Sequence, residues 1–209
     1  MSRVILALCL GSAAAFAPVA SVAKTSTAVN AAVQEWSGVT APFGFWDPVG
    51  FADKTSEPLM LWYRASELKH SRVAMLACGG WIVQSMGMTL PGDLAKGIPF
   101  NSLGHNPLTM WEAVPYAGKV QMLVGIGLLE FHSEFGEPYK KHYTKGGPMP
   151  GNTNDRWDFS GDIMGFAKNS SPEELKRREN AELNNGRLAM IGIMGFSANA
   201  LIPGSIPLL

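Results

Sequence analysis

The sequence predicts an all-α membrane protein with three transmembrane helices, in which the first and third cross as a pseudo-two-fold pair. Three observations support this fold class. A segment at Glu67–Met75 recurs at Glu182–Met190. Charged residues make up only 16% of the 209 positions, while the 23 glycines suit membrane helices that pack closely. Finally, three helix-length segments are separated by loops rich in glycine, proline and asparagine.

The N-terminal 34 residues have the composition of targeting sequences. Residues 1–15 combine Arg3, an apolar run and small residues, as in a signal peptide. Residues 16–34 contain no acid but many serines, threonines and alanines, which is typical of a plastid transit segment. The alternative is a plain secretory signal followed by a disordered arm. We therefore assign residues 35–209 to one three-helix domain.

The three helices are predicted from turn residues and caps. The first covers about Pro58–Met88, the second about Trp111–Phe135 and the third about Pro172–Leu201, which Ser171 precedes as a cap. None contains 18 uncharged apolar residues in a row. At about 30 residues, the first and third would be ~45 Å long, which exceeds a ~30 Å hydrocarbon core. Their charged first halves are therefore predicted to project from one membrane face.

Lysines and arginines are distributed unevenly between the two predicted faces. When Arg3 and Lys24 in the leader and the motif arginines Arg72 and Arg187 are set aside, only two basic residues, Lys96 and Lys119, fall on the side opposite the N-terminus, whereas eleven others fall on the N-terminal side. Because positive residues favour the cytoplasmic or stromal side, the N-terminus is predicted to be stromal.

The repeat places an acid and an arginine at matched positions of the first and third helices. Glu67 and Arg72 return as Glu182 and Arg187, at a constant offset (182 − 67 = 115). Neither arginine has an acid three or four residues away, where helical neighbours lie. An unpaired guanidinium in hydrocarbon costs about 3 kcal/mol or more. We therefore predict two reciprocal pairs, Glu67 with Arg187 and Glu182 with Arg72. The alternative is that each acid pairs with an arginine of its own helix, while the motif arginines extend to the membrane surface.

The same motifs carry metal-ligand chemistry. A carboxylate bonded to arginine keeps lone pairs that can bind a hard cation such as Mg²⁺. His70 and Asn185 follow the two acids by three residues and therefore share their helical face. These donors are spread along helix surfaces, whereas a magnesium or zinc site built from protein alone needs several converging ligands. Singly spaced ligands suit a metal whose equatorial positions are already filled, as in a chlorin macrocycle.

These motifs resemble those of a known family. Glu-x-x-His-x-Arg-x-Ala-Met at 67–75 and Glu-x-x-Asn-Gly-Arg-x-Ala-Met at 182–190 are similar to motifs of the chlorophyll a/b- and a/c-binding light-harvesting superfamily. The segment 44–51 resembles the approach to that family's first helix. The loop at 90–100 resembles that of fucoxanthin chlorophyll a/c-binding proteins of red-lineage algae. The resemblance covers roughly Ser37–Leu201.

The resemblance implies an antenna apoprotein of the plastid thylakoid membrane, not an enzyme. It implies bound chlorophyll a, chlorophyll c and fucoxanthin or a related carotenoid. The implied partners are a photosystem core, neighbouring antenna subunits and thylakoid lipids, and the zero net charge gives no electrostatic case for nucleic acid. The implied chlorophyll ligands are Glu67, His70, Glu182 and Asn185, with further candidates at Gln84, Gln121, Glu130 and Asn199, and with Arg72 and Arg187 compensating the acids.

Several alternatives stay open at this point. Glu130 could be a helix-end acid and Gln121 an interhelical amide, and Asn199 is shorter than the glutamine or histidine of many relatives. The histidines in or near loops, His105 among them, are interpreted as solvent or headgroup residues. A photoprotective member of the superfamily is a second function, although a sensor of lumenal acid would find few titratable groups on that side. A small membrane transporter is a third, since intramembrane acid–arginine pairs also mark ion paths.

Overall fold

The computed structural model describes residues 33–135, 142–147, 149–150 and 170–205, and this part of the chain is mostly helical. The predicted leader lies outside it, apart from residues 33 and 34. The elements in chain order are α1 (Phe51–Lys54), α2 (Glu57–Ser85), β1 (Asp93–Ala95), β2 (Ile98–Pro99), a 3₁₀ turn (Phe100–Leu103), α3 (Pro107–Ala113), α4 (Tyr116–Phe135), a second 3₁₀ turn (Tyr143–Lys145) and α5 (Pro172–Leu201). The two short strands pair antiparallel. By length, hydropathy and charge together, none of the helices described is long and apolar enough to cross a membrane.

The helix boundaries follow the local sequence, with two differences from the prediction. α5 has the predicted bounds, and Ser171 Oγ accepts a hydrogen bond from the Glu174 backbone N–H at 3.3 Å. α2 ends three residues before the predicted Met88, because Gly87 adopts a φ of 76° that ends the helix. The second predicted helix is divided into α3 and α4, since Pro115 keeps Val114 extended, with a ψ of 127°.

α2 and α5 pack against each other and form the core of the described structure. Residues that are equivalent in the repeat face one another across this seam. Trp81 stacks on Phe196, with ring centroids 6.0 Å apart and planes 22° from parallel. Ser71 lies against Gly186 so closely that a Cβ added to the glycine would be 2.3 Å from Ser71 Cβ. Both pairs have the repeat offset, so the packing reproduces the internal symmetry of the sequence.

α4 is packed differently from the other long helices. None of its residues whose exposure is described is buried. Apolar side chains in its middle are open, with Leu123 at 62% exposed, Ile126 at 58% and Leu128 at 65%. A polar contact joins it to α2, because Lys69 Nζ lies 2.6 Å from Glu130 Oε2 and 2.5 Å from Glu134 Oε1. Protein packing therefore leaves the apolar surface of α4 largely uncovered.

Candidate functional site

The structure joins the four charged motif residues in the two cross-helix pairs that the repeat predicts. Arg187 Nε and Nη2 lie 2.9 Å and 2.8 Å from Glu67 Oε1. Arg72 Nε donates to Glu182 Oε1 at 2.6 Å. Each acid is 30% exposed, so the pairs are partly shielded from solvent while the carboxylates remain reachable. Each pair links α2 to α5, one on either side of the contact between Ser71 and Gly186.

The local alternative also occurs, but on one acid only. Arg64 Nη1 lies 3.4 Å from Glu67 Oε2, so Glu67 contacts one arginine from its own helix and one from α5. Arg64 is buried, and its Nη2 donates to Ser37 Oγ at 3.0 Å. In contrast, Glu182 Oε2 accepts no hydrogen bond from the residues described. The two acids are thus equivalent in sequence but differ in how much of the carboxylate remains available.

His70 and Asn185 stand one turn beyond the acids with donor atoms available. His70 Nδ1 lies 2.8 Å from the Ser66 carbonyl oxygen, a contact that assigns the proton to Nδ1. Nε2 then carries the lone pair, as in histidine that ligates a metal. The Asn185 amide is exposed and makes no hydrogen bond to the described part of the chain. Each motif therefore presents a charge-compensated acid and a second nitrogen or oxygen donor on an exposed helix face.

The remaining candidate ligands have different surroundings. Gln84 is half-buried and Gln121 is exposed. Glu130 is bound by Lys69, as described above. The Asn199 side-chain oxygen accepts a hydrogen bond from the Gly204 backbone N–H at 3.2 Å, beyond the end of α5. The ligand roles of these four residues stay predictions.

A segment before the first long helix completes the site, and the sequence did not reveal it. The Gly38 backbone N–H donates to Asn180 Oδ1 at 2.6 Å, and its carbonyl accepts from Arg187 Nη1 at 2.8 Å. Gly38 has a φ of 102°, and an added Cβ would be 2.8 Å from Leu183 Cδ1. This glycine therefore allows residues 37–40 to lie against α5, where Ser37 and Thr40 also hydrogen-bond to Glu179 and Asn184. No motif in the sequence marks this contact.

The segment and the two helices border an open cavity of about 720 Å³ beside Glu67. Its volume is within the range of small-molecule sites in proteins. Aromatic residues supply much of its wall: Trp36, Phe43, Phe45, Trp46 and Tyr63. The polar residues at its lining are Ser37, Thr40, Arg64, Glu67, Asn184 and Arg187. The cavity thus combines flat apolar walls with one charge-compensated acid.

The turn that leads into α1 is organised by Asp47. Its carboxylate accepts hydrogen bonds from the backbone N–H groups of Phe51 at 3.0 Å and Ala52 at 2.8 Å. The bonds from Ala52 and Phe51 hold the pKa of the Asp47 carboxyl below its ordinary value, because they stabilise the charged form. Gly50 precedes α1 with a φ of 70°. The segment before α2 therefore has a fixed turn.

Comparison with known proteins places this geometry in context. The family model for "Chlorophyll A-B binding protein" matches residues 32–201. A fucoxanthin-chlorophyll a-c binding protein of Trieres chinensis is 37% identical over 212 residues, covering 100% of this chain and 98% of the relative. Fucoxanthin-chlorophyll a-c binding protein F of Phaeodactylum tricornutum is 37% identical, covering 93% and 92%. Fucoxanthin-chlorophyll a-c binding protein A of Macrocystis pyrifera is 32% identical, covering 82% of this chain and 74% of the relative.

Proposed function

Because the chain belongs to the chlorophyll A-B binding protein family, we propose that it is a light-harvesting antenna apoprotein. It binds chlorophyll a, chlorophyll c and fucoxanthin or a related carotenoid, and passes excitation energy to a photosystem. Its similarity to fucoxanthin-chlorophyll a-c binding proteins covers essentially the whole chain. The pigments carry the photophysics, and the polypeptide fixes their positions and surroundings.

The reciprocal ion pairing between α2 and α5 is the observation that carries this proposal. Arginine neutralises each acid and thereby reduces the cost of keeping it in an apolar environment. These motif side chains would supply oxygen or nitrogen ligands to the magnesium of a bound chlorophyll, and the pigment would supply the light absorption. The carboxylate of Glu182 and the Nε2 of His70 offer lone pairs suited to that role. The proposed set of magnesium ligands is Glu67, His70, Glu182 and Asn185.

We place the three long helices across the thylakoid membrane, with the N-terminus on the stromal side. α2 and α5 form the pseudo-two-fold pair, which the facing of equivalent residues supports. The exposed apolar side chains of α4 would contact pigment and lipid, and pigments would occupy the space between α4 and the helix pair. The aromatic cavity beside Glu67 would hold part of one pigment. Residues 1–34 would direct the chain to the plastid and its internal membrane.

Refolding with pigments tests this function directly. The chain is mixed in detergent with chlorophyll a, chlorophyll c and fucoxanthin, and the complex is purified. We expect a coloured protein in which excitation of chlorophyll c or fucoxanthin produces chlorophyll a emission. A colourless protein, or pigments that do not transfer energy, would contradict the proposal. A fluorescence lifetime that falls sharply from pH 7.5 to pH 5 would identify a quencher instead.

Single substitutions then test the ligand set. Glu182→Ala is expected to reduce the number of chlorophylls per chain, whereas Glu173→Ala, a change at an exposed acid in the first turn of the same helix, is expected to leave it unchanged. Chromatography of extracted pigments measures both. Equal pigment contents in the two variants would remove Glu182 from the ligand set.

A further inference from the structure

A second cavity, of about 560 Å³, lies near the C-terminal ends of α2 and α5. The stacked rings of Trp81 and Phe196 form part of its wall, together with Ile82 and Met86. Residues 105–107, from the connection between α2 and α4, close another side. The cavity thus has an apolar aromatic wall from the helix pair and a polar edge from a loop. Such a wall suits a flat aromatic macrocycle, which stacks favourably on aromatic rings.

Two of the polar groups at this edge are already used in holding the backbone. Asn106 Oδ1 accepts a hydrogen bond from the Leu108 N–H at 3.0 Å and caps α3. The Asn199 side-chain oxygen accepts from the Gly204 N–H at 3.2 Å. To bind a magnesium ion, this oxygen would have to share or give up that bond. Asn199, which the sequence analysis names as a candidate ligand, is therefore poorly placed to bind magnesium here.

His105 lies at the same edge, but unlike Asn106 and Asn199 it does not bind a backbone N–H group of the described residues. Its imidazole makes no hydrogen bond to any described residue, and His105 is an exposed residue at the lining of the cavity. The ring lies over Gly87, where an added Cβ would be 2.9 Å from His105 Cε1 and 3.1 Å from Nδ1 but 4.0 Å from Nε2. The glycine thus makes room for one edge of the ring, and Nε2 is the nitrogen farther from it. A neutral imidazole with an unused lone pair is a good metal ligand.

We propose that His105, in place of Asn199, supplies a nitrogen ligand to the magnesium of a chlorophyll bound in this second cavity. The inference rests on the proposed antenna function and adds a ligand from the loop between the first two long helices. The donor chemistry fits, since an imidazole nitrogen coordinates the magnesium of a chlorin as the His70 nitrogen is proposed to do. Gly87 acts as a positioning residue, because a side chain there would displace the ring.

The test is refolding of the full chain with chlorophyll a, chlorophyll c and fucoxanthin, followed by counting of pigments per polypeptide. We expect His105→Phe to lose one chlorophyll and to keep its carotenoids. Asn199→Ala is expected to keep the wild-type number. His132→Phe, at an exposed histidine of α4 outside this cavity, serves as the matched control and is also expected to keep it.

Chemical rescue separates ligation from a structural role. In His105→Gly, free imidazole added during refolding is expected to restore the missing chlorophyll, and resonance Raman spectra should show the magnesium bound to imidazole. If His105→Phe retains the wild-type chlorophyll number, or if imidazole fails to rescue His105→Gly, the inference is wrong. Loss of a carotenoid alone would also overturn it. A wild-type chain that binds no chlorophyll would instead refute the antenna function itself.

Discussion

Gly186→Ala tests the close contact between the two motif helices. Its new Cβ would be 2.3 Å from Ser71 Cβ and 3.0 Å from Ser71 Cα, whereas carbon atoms pack best at about 3.5–4.0 Å. The helices would have to separate by roughly 1 Å, because part of the obstacle is backbone. Overpacking of this kind costs about 1–3 kcal/mol, and we expect the upper end. Alanine regains about 1 kcal/mol of helix propensity. The net loss is therefore about 2 kcal/mol.

Thermal melting of the refolded pigment complex, followed by visible circular dichroism, measures this loss. For a domain of this size it corresponds to a lower Tm by about 4–8 °C. Gly192→Ala is the matched control, since its Cβ would meet Cys78 Sγ at an ordinary 3.6 Å. Adding Ser71→Gly to Gly186→Ala should recover part of the loss, because the contact with Ser71 Cα remains. A Gly186→Ala complex that melts with or above the wild type would refute the reasoning.

Three further changes address the charged groups. Arg72→Met should lose the cross-helix ion pair and about 1–3 kcal/mol by thermal melting. Exchanging Arg72 and Glu182 for one another keeps an ion pair but moves the proposed ligand carboxylate from α5 to α2, so this variant should melt above Arg72→Met and below the wild type. Equal melting of Arg72→Met and the exchanged variant would contradict this. Lys69→Gln should lower stability by about 1 kcal/mol or less, because the lysine is 42% exposed. Lys96→Gln is the matched control and should have no effect, since this exposed lysine makes no hydrogen bond or ion pair to the described residues. Asp47→Asn should melt below the wild type at pH 5. Because the folded pKa of Asp47 is lowered, its contribution is present above about pH 3.9 and is lost as the pH falls through the folded pKa, so the difference in Tm should disappear there.

Exchanging Glu67 and Arg187 for one another is expected to destabilise the protein. An arginine at position 67 would lie next to the buried Arg64, whose guanidinium is 3.4 Å from the Glu67 carboxylate. The protein with Glu67 and Arg187 exchanged should therefore have a Tm well below that of the protein with Arg72 and Glu182 exchanged. Equal stability of the two exchanged proteins would show that Arg64 does not distinguish them.

The repeat made the partner of each motif arginine predictable, because symmetry left only one acid in an equivalent place. Helix α5 was equally predictable from Ser171 and the proline that follows it. The break at Pro115 was missed, since the apolar pattern continues through it. The role of Gly38 could not be foreseen, because it depends on backbone contacts between residues far apart in sequence. In the sequence analysis, Arg64 and Arg187 are treated as alternative partners of Glu67, whereas one carboxylate has enough lone pairs to accept hydrogen bonds from both arginines.

The surroundings of His105 show a different limit of sequence reasoning. A histidine in a loop gives no periodic pattern, so it was interpreted as a solvent-facing residue. Its importance depends on Gly87 and on the wall formed by two helices that the sequence does not bring together by itself. Conversely, its spacing from Asn185 makes Asn199 a predicted ligand, although its side-chain oxygen accepts a hydrogen bond from the Gly204 N–H at the end of α5.

The exposed apolar side chains in the middle of α4 make the folding of this protein depend on the supply of pigment. None of the α4 side chains whose exposure is described is buried, so this helix gains little from folding until an apolar group lies beside it. Bound cofactor stabilises only the folded form, so tertiary order would rise with its concentration. Newly made chains that meet no chlorophyll would leave this helix undocked and open to proteases. Abundance of the antenna would then follow tetrapyrrole synthesis without any dedicated regulator.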